Sequence, residues 1–197
     1  MAATRVIGGG PHHSGTQTLA VSTEYARRHS LRRRLVVVAQ SRVELIRHAG
    51  GWLFDRTMAG WDVTVLVMDH TDSRALEVLG VRAVDLTAGL TAPVRRPFPH
   101  EIAVDAELYR SDDDVRRRAL RLIESRGVDI RLWGARWPSE VWPYEVADTF
   151  YPTRHRLSRA AQVFKGHALA ATGTASEPVR ATETFRRVAR PIHRATA

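Results

Sequence analysis

The sequence predicts an α/β fold: a compact, mainly parallel sheet of about four strands flanked by helices, Rossmann-like or flavodoxin-like, with basic extensions at both ends. Three observations carry this expectation. Short apolar segments recur at 35–39, 63–68, 81–86 and 128–133. The first is continuous and the second mostly apolar, as in strands buried on both faces. Between them lie stretches with helical apolar spacing, so the chain reads as successive βαβ units, whose right-handed crossovers give parallel strands.

The elements follow in order. Residues 1–31 hold Gly8-Gly9-Gly10-Pro11 and paired His12-His13 and read as a flexible basic leader, with a short helix at 19–30. Leu35-Val36-Val37-Val38-Ala39 is the first strand. Ser41 caps a helix with Leu45, Ile46, Ala49, Trp52 and Leu53 on one face, and Gly60 ends it. Gly50-Gly51 lies inside this helix at a cost of about 1 kcal/mol per glycine relative to alanine. The pair therefore predicts a kink, or a backbone that something approaches closely. A second strand at 63–68, a short helix at 73–79 and a third strand at 81–86 follow, and 87–100 is a Pro- and Thr-rich loop. Ser111 stands as cap before Asp112, Asp113 and Asp114, and Arg121 and Arg126 fall near Gly127. Acids first and bases last suit the helix dipole. The fourth strand is 128–133. Residues 137–152 form an aromatic loop, 154–171 a helix docking Leu157, Ala160, Ala161, Phe164 and Ala168, and 172–197 a basic tail without fixed structure, marginally helical at 182–189. The α/β domain thus spans 32–171.

A hydrophobic fraction of 44% suits a packed core, and the absence of cysteine excludes disulfides and thiolate metal sites. No apolar run nears twenty residues, and the start lacks a signal-peptide core, so a cytoplasmic protein without membrane partners is expected. The net charge of +9 is unevenly placed: residues 1–34 carry +5, 35–150 carry −3 and 151–197 carry +7. Lys165 is the single lysine, so the excess is arginine; codon bias is the simpler explanation and an anionic partner the other.

In open parallel sheets, ligands bind where strands end at their carboxyl side. Those ends present Gln40, Ser41, Asp85, Trp133, Arg136 and Trp137 as ligand-binding candidates. Asp69, His70 and Asp72, the richest cluster, are the catalytic candidates, as an acid–base set. Helix capping by Asp72 is the simpler reading of that residue. Asp112–Asp114 are explained by their helix turn, and His12-His13 lacks further ligands at fixed spacing. Gly10, Gly15 and Thr16 have phosphate-loop spacing without the lysine that loop needs. Phosphorylatable receiver domains share only the alternation of strands and helices; Gln40-Ser41 stands where they carry paired acids. No cofactor or metal is called for.

The charge partition predicts a non-catalytic regulatory or interaction protein. Its arginine-rich arms, with Arg32, Arg33, Arg34, Arg154, Arg156, Arg159 and Lys165, would contact nucleic acid or an acidic protein. The alternative is a small enzyme or ligand-binding domain holding a phosphorylated or nucleotide-like ligand at the strands' carboxyl ends. An oligomeric structural component is a third reading; the sequence leaves oligomeric state open.

Overall fold

The unbroken apolar run at 35–39 forms an interior strand of the sheet, paired on both sides. A computed structural model describes residues 32–68, 72–92, 98–126, 128–135, 150–174 and 178–188. The elements are β1 (Arg34–Ala39), α1 (Arg42–Met58), β2 (Asp62–Val67), α2 (Arg74–Val78), β3 (Arg82–Asp85), α3 (Leu86–Thr91), β4 (Glu101–Asp105), α4 (Ala106–Ser111), α5 (Asp113–Arg126), β5 (Asp129–Trp133), β6 (Phe150–Arg156), α6 (Arg159–Ala171) and β7 (Thr182–Val188). The seven strands form one sheet in the order 3-2-1-4-5-7-6. Pairs β3/β2, β2/β1, β1/β4 and β4/β5 are parallel, while β7 runs antiparallel to both β5 and β6. Among the described residues no helix is long and apolar enough to cross a membrane.

The α/β class and the mostly parallel sheet stand, but the count of about four strands is corrected to seven. β4, which sits beside β1 in the middle of the sheet, has only Ile102, Ala103 and Val104 between two acids, too little to show as a buried strand in sequence. β6 takes residues expected to be aromatic loop and helix start. It is the sheet's edge, where Pro152 removes no needed ladder donor. β7 replaces the expected tail and marginal helix. Its residues alternate, with Glu183 and Phe185 buried and Thr182 and Thr184 exposed. The α5 cap moves by one residue: Asp112 Oδ1 accepts from the N–H groups of Asp114 (2.9 Å) and Val115 (3.0 Å), while Ser111 ends α4 and donates back to the Glu107 carbonyl. α6 starts at its cap Ser158, whose Oγ accepts from Ala161 N at 3.0 Å.

Alternation along β1 feeds two cores. Leu35, Val37 and Ala39 pack with α1, α2, α6 and Phe185 on one face; Val38 packs with Ile102, Val104, Ile130 and Leu132 beneath α4 and α5 on the other. Ser41 caps α1 as expected, accepting from Glu44 N at 3.4 Å.

Gly50-Gly51 marks a close approach, not a break: α1 is continuous through it. A Cβ on Gly51 would stand 2.4 Å from Leu157 Cδ1. The same turn meets a buried carboxylate. Glu183 Oε1 accepts from Gly51 N at 3.0 Å, and Oε2 from Trp52 N at 2.8 Å. Lys165 Nζ completes the arrangement, 2.7 Å from Glu183 Oε1 and 2.6 Å from the Arg47 carbonyl. Lys165 and Glu183 are 3% and 4% exposed, so three elements (α1, α6 and β7) meet at an ion pair shut away from water. Burial pushes the Glu183 carboxyl up, against the pull of Lys165 and the two N–H groups. A second tie lies nearby. Asp55 Oδ2 is 2.8 Å from His155 Nε2 and accepts from Ser158 N at 3.2 Å. Burial pushes Asp55 up, but these hydrogen bonds outweigh it and hold the carboxyl below its ordinary value. Its stabilising contribution is therefore complete above that ordinary value and lost as pH falls through the depressed one.

Removing one member of the buried pair leaves the other charge unpaired, so Glu183→Ala or Lys165→Met should each cost about 3–5 kcal/mol in urea unfolding. The double variant should cost clearly less than the two single losses added together, as a double-mutant cycle will show. Gly51→Ala should destabilise although alanine is the better helix former; in a Leu157→Ala background that penalty should vanish.

Candidate functional site

Because β3 and β4 lie on opposite sides of the β2–β1 pair, the chain reverses its direction of growth between β1 and β4. Loops leaving those two strands diverge to opposite faces of the sheet, which opens a crevice at their carboxyl ends. The crevice has a volume of about 320 Å³ and is bounded by Gln40, Ser41, Glu44, His48, Asp105, Glu107, Trp133, Gly134 and Ala135.

Each side is set by a strand end or a helix start. Asp105 closes β4 and is 7% exposed. Its Oδ1 accepts from Glu107 N at 2.9 Å, and backbone N–H groups of Leu108 and Gln40 also point to the carboxylate, tying β4 to the end of β1. Burial nonetheless raises its pKa above the ordinary carboxylate value. Gly134, just past β5, has φ +140°, a conformation that side chains rarely adopt. It brings bare backbone up to Asp105: a Cβ there would stand 3.8 Å from Oδ1. Trp133 ends β5 fully buried, and its indole N–H has no partner among the described residues. On the facing wall, α1 presents Glu44 and, one turn later, His48, with His48 Nε2 3.4 Å from Glu44 Oε2. Glu44 also pairs with Arg47. Burial lowers the His48 pKa; Glu44 pulls it up, and Lys165 and Arg47 push it further down, so the imidazole stays neutral at pH 7. The crevice therefore holds a neutral imidazole oriented by one carboxylate and faced by two more, an arrangement able to accept, hold and return a proton.

Of the residues expected here, Gln40, Ser41 and Trp133 do border the crevice. Asp85 does not: it ends β3, two strands away from β1, and caps α3 by accepting from Ala88 N at 2.7 Å. Asp72 is likewise a structural acid, accepting from Arg74 N at 3.3 Å and lying 3.7 Å from Arg42 Nη2. Asp69, His70, Arg136 and Trp137 lie outside the described residues. Glu44, His48, Asp105 and Glu107 were not anticipated. Glu44 and His48 carried a legible signal, an acid and a histidine four apart on the helix after the first strand; Asp105 required knowledge of β4. Among the described residues no three His, Asp or Glu side chains converge as metal ligands.

No family model matches the chain, and no curated protein matches it. Solved structures do. A triple mutant of a deacetylase of the teicoplanin biosynthetic pathway aligns with TM-score 0.58 at 13% identity, over 82% of this chain and 99% of that one. The A40926 pseudoaglycone deacetylase aligns with TM-score 0.53 at 16% identity, over 80% and 97%. The zinc-inhibited form of teicoplanin deacetylase aligns with TM-score 0.53 at 14% identity, over 81% and 99%. The chain shares the fold of these deacetylases. That finding overturns the expectation of a non-catalytic regulatory protein with nucleic-acid-binding arms, since the matching folds are those of enzymes. The arms fare no better in detail. Lys165, assigned to them, is buried against Glu183, and Arg34 lies 3.8 Å from Asp62. Arg32, Arg33, Arg154, Arg156 and Arg159 are exposed.

Carbon- and nitrogen-detected NMR titration should place the Asp105 carboxyl above its ordinary 3.8 and the His48 imidazole below its ordinary 6.5. The raised Asp105 value means that its contribution to stability is present at low pH and lost as pH rises through it. The lowered His48 value means the reverse, a contribution present above 6.5 and lost as pH falls. Ordinary titration of both groups would refute the burial argument.

Proposed function

We propose that this chain is a small hydrolase that cleaves the amide of an N-acylated small molecule in the crevice at the carboxyl ends of β1, β4 and β5. The observation that carries the reading is the meeting of the Glu44–His48 pair with Asp105 at the sheet's switch point. The deacetylases of the same fold supply the reaction class. Three carboxylates, those of Glu44, Asp105 and Glu107, border the crevice and repel anions, so a phosphorylated or nucleotide-like ligand does not suit it. A neutral acyl-amine, or one leaving as a cationic amine, does.

In this reading neutral His48, oriented by Glu44, removes a proton from water as its oxygen attacks the acyl carbonyl carbon. The tetrahedral intermediate then collapses, the C–N bond breaks, and the imidazolium returns the proton to the departing nitrogen. The products are a free amine and a carboxylate. Asp105 holds the ends of β1 and β4 in register, and with Glu107 favours the positive charge that develops on the amine. Each step uses the chain's own side chains.

Incubation with a panel of N-acetylated amino sugars and peptides, followed by assay of released primary amine, tests the proposal. Turnover should fall about 100-fold or more in His48→Gln with the melting temperature unchanged. The acid limb of kcat/KM should lie below pH 6.5, as the lowered His48 value requires. Amine release that survives His48→Gln, or none from any N-acyl compound, would sink it.

A further inference from the structure

The opposite end of the sheet has the opposite charge. We propose that the chain has a second site there, which binds the phosphoryl group of a small phosphorylated molecule. At the amino ends of β1, β4 and β5 a cavity of about 520 Å³ is bordered by Arg33, Arg56, Arg131 and Arg187, together with His100 and Trp61. The acids in its wall are Glu101 and Asp129, so with His100 neutral its formal charge is +2.

The arginines are held in place. Arg131 Nε donates to Glu101 Oε1 at 2.6 Å, and its guanidinium lies 5.2 Å from the Trp52 ring centre and 5.1 Å from that of Phe185. Arg56 reaches Glu101 Oε2 at 3.3 Å and covers Trp61 at 4.3 Å. Arg187 Nη2 donates to Asp129 Oδ2 at 2.8 Å. Arg33 lies over Trp61 at 5.3 Å and forms no ion pair with a described carboxylate. Each guanidinium has five N–H donors in a planar fork, and two carboxylates leave many of them unspent. Burial lowers the Arg56 pKa; Glu101 pulls it back, and the guanidiniums of Arg131, Arg33 and Arg187 push it down again, so all four charges sense one another. A doubly charged oxyanion relieves that repulsion and accepts the forked donors in pairs, as arginine–phosphate contacts do. Ring contacts of Arg33, Arg56 and Arg131, and the pairing of Arg187 with Asp129, have already removed much of the side chains' freedom, which lowers the entropic cost of binding.

A concave site backed by the buried Glu101 suits a compact phosphate rather than a polymer, which would track the exposed arginines Arg154 and Arg156 on the edge strand. The proposal is independent of the hydrolase reading, because none of these residues borders the crevice.

The test is calorimetric titration of the whole chain with sodium pyrophosphate at constant ionic strength, beside thermal melts in matched sodium chloride. Pyrophosphate should bind with a low-millimolar or tighter Kd and raise the melting temperature by mass action. Arg33→Glu, on an exposed side chain, should weaken binding about tenfold or more with the fold retained, as circular dichroism will show. Arg154→Glu and His48→Gln should leave binding as it is. No binding at about 10 mM pyrophosphate, equal loss in Arg154→Glu, or binding of a single-stranded oligonucleotide in place of pyrophosphate would overturn the proposal.

Discussion

The fold depends on one carboxylate placed where water cannot reach it. Glu183 belongs to β7, far along the chain from α1, yet it accepts two mid-helix N–H groups there and pairs with Lys165 of α6. An isolated charge in that position would cost several kcal/mol, so all the partners must be present together. Gly51 serves the same junction: only a residue without a side chain lets Leu157 come this close to α1. Because α1 also carries Glu44 and His48, the pair that seats α1 on the sheet seats one wall of the crevice as well.

The sheet separates charge between its two ends. At the carboxyl ends lie Glu44, Asp105 and Glu107; at the amino ends, four arginines outnumber two acids. The parallel arrangement makes this separation cheap. Neighbouring parallel strands bring like ends together, so a residue type repeated at the start or finish of several strands accumulates at one edge. An anion is repelled at one edge and attracted at the other.

What the sequence disclosed, and what it hid, follows from burial chemistry. β1 is apolar on both faces beyond its first residue and β2 is mostly apolar, and both are legible as strands. β4 is as buried as β1, but two of its five residues are acids whose burial depends on partners from other elements: Arg56 and Arg131 for Glu101, the backbone around Asp105 for the other. No local pattern reveals such partners. β7 fails for a related reason, since its alternation has a glutamate at an inward position. Of the three hidden strands, β4 and β7 thus carry a buried charge that another element satisfies, while β6 is an exposed edge. For the same reason the crevice was only half legible: Gln40, Ser41 and Trp133 come from the visible strands β1 and β5, while Asp105 comes from the hidden one. Glu44 and His48 were visible but needed the strand order to point them at the switch.

Arginine excess alone says little about function; where arginine is not used says more. Of 30 basic residues, Lys165 alone is lysine, and it fills the most secluded cationic position among the described residues. An ammonium is a compact point charge with three donors, and here it meets a carbonyl and a carboxylate at 2.6 and 2.7 Å in a space closed by helix backbone. A planar guanidinium needs a broader, flatter slot, and the arginines of this chain occupy such slots over Trp52, Trp61 and Phe185. Shape, and not charge, decides between the two residues. By that criterion the arginines at the amino ends of the strands are no random surplus: Arg33, Arg56 and Arg131 lie over aromatic rings, and Arg187 is held by Asp129.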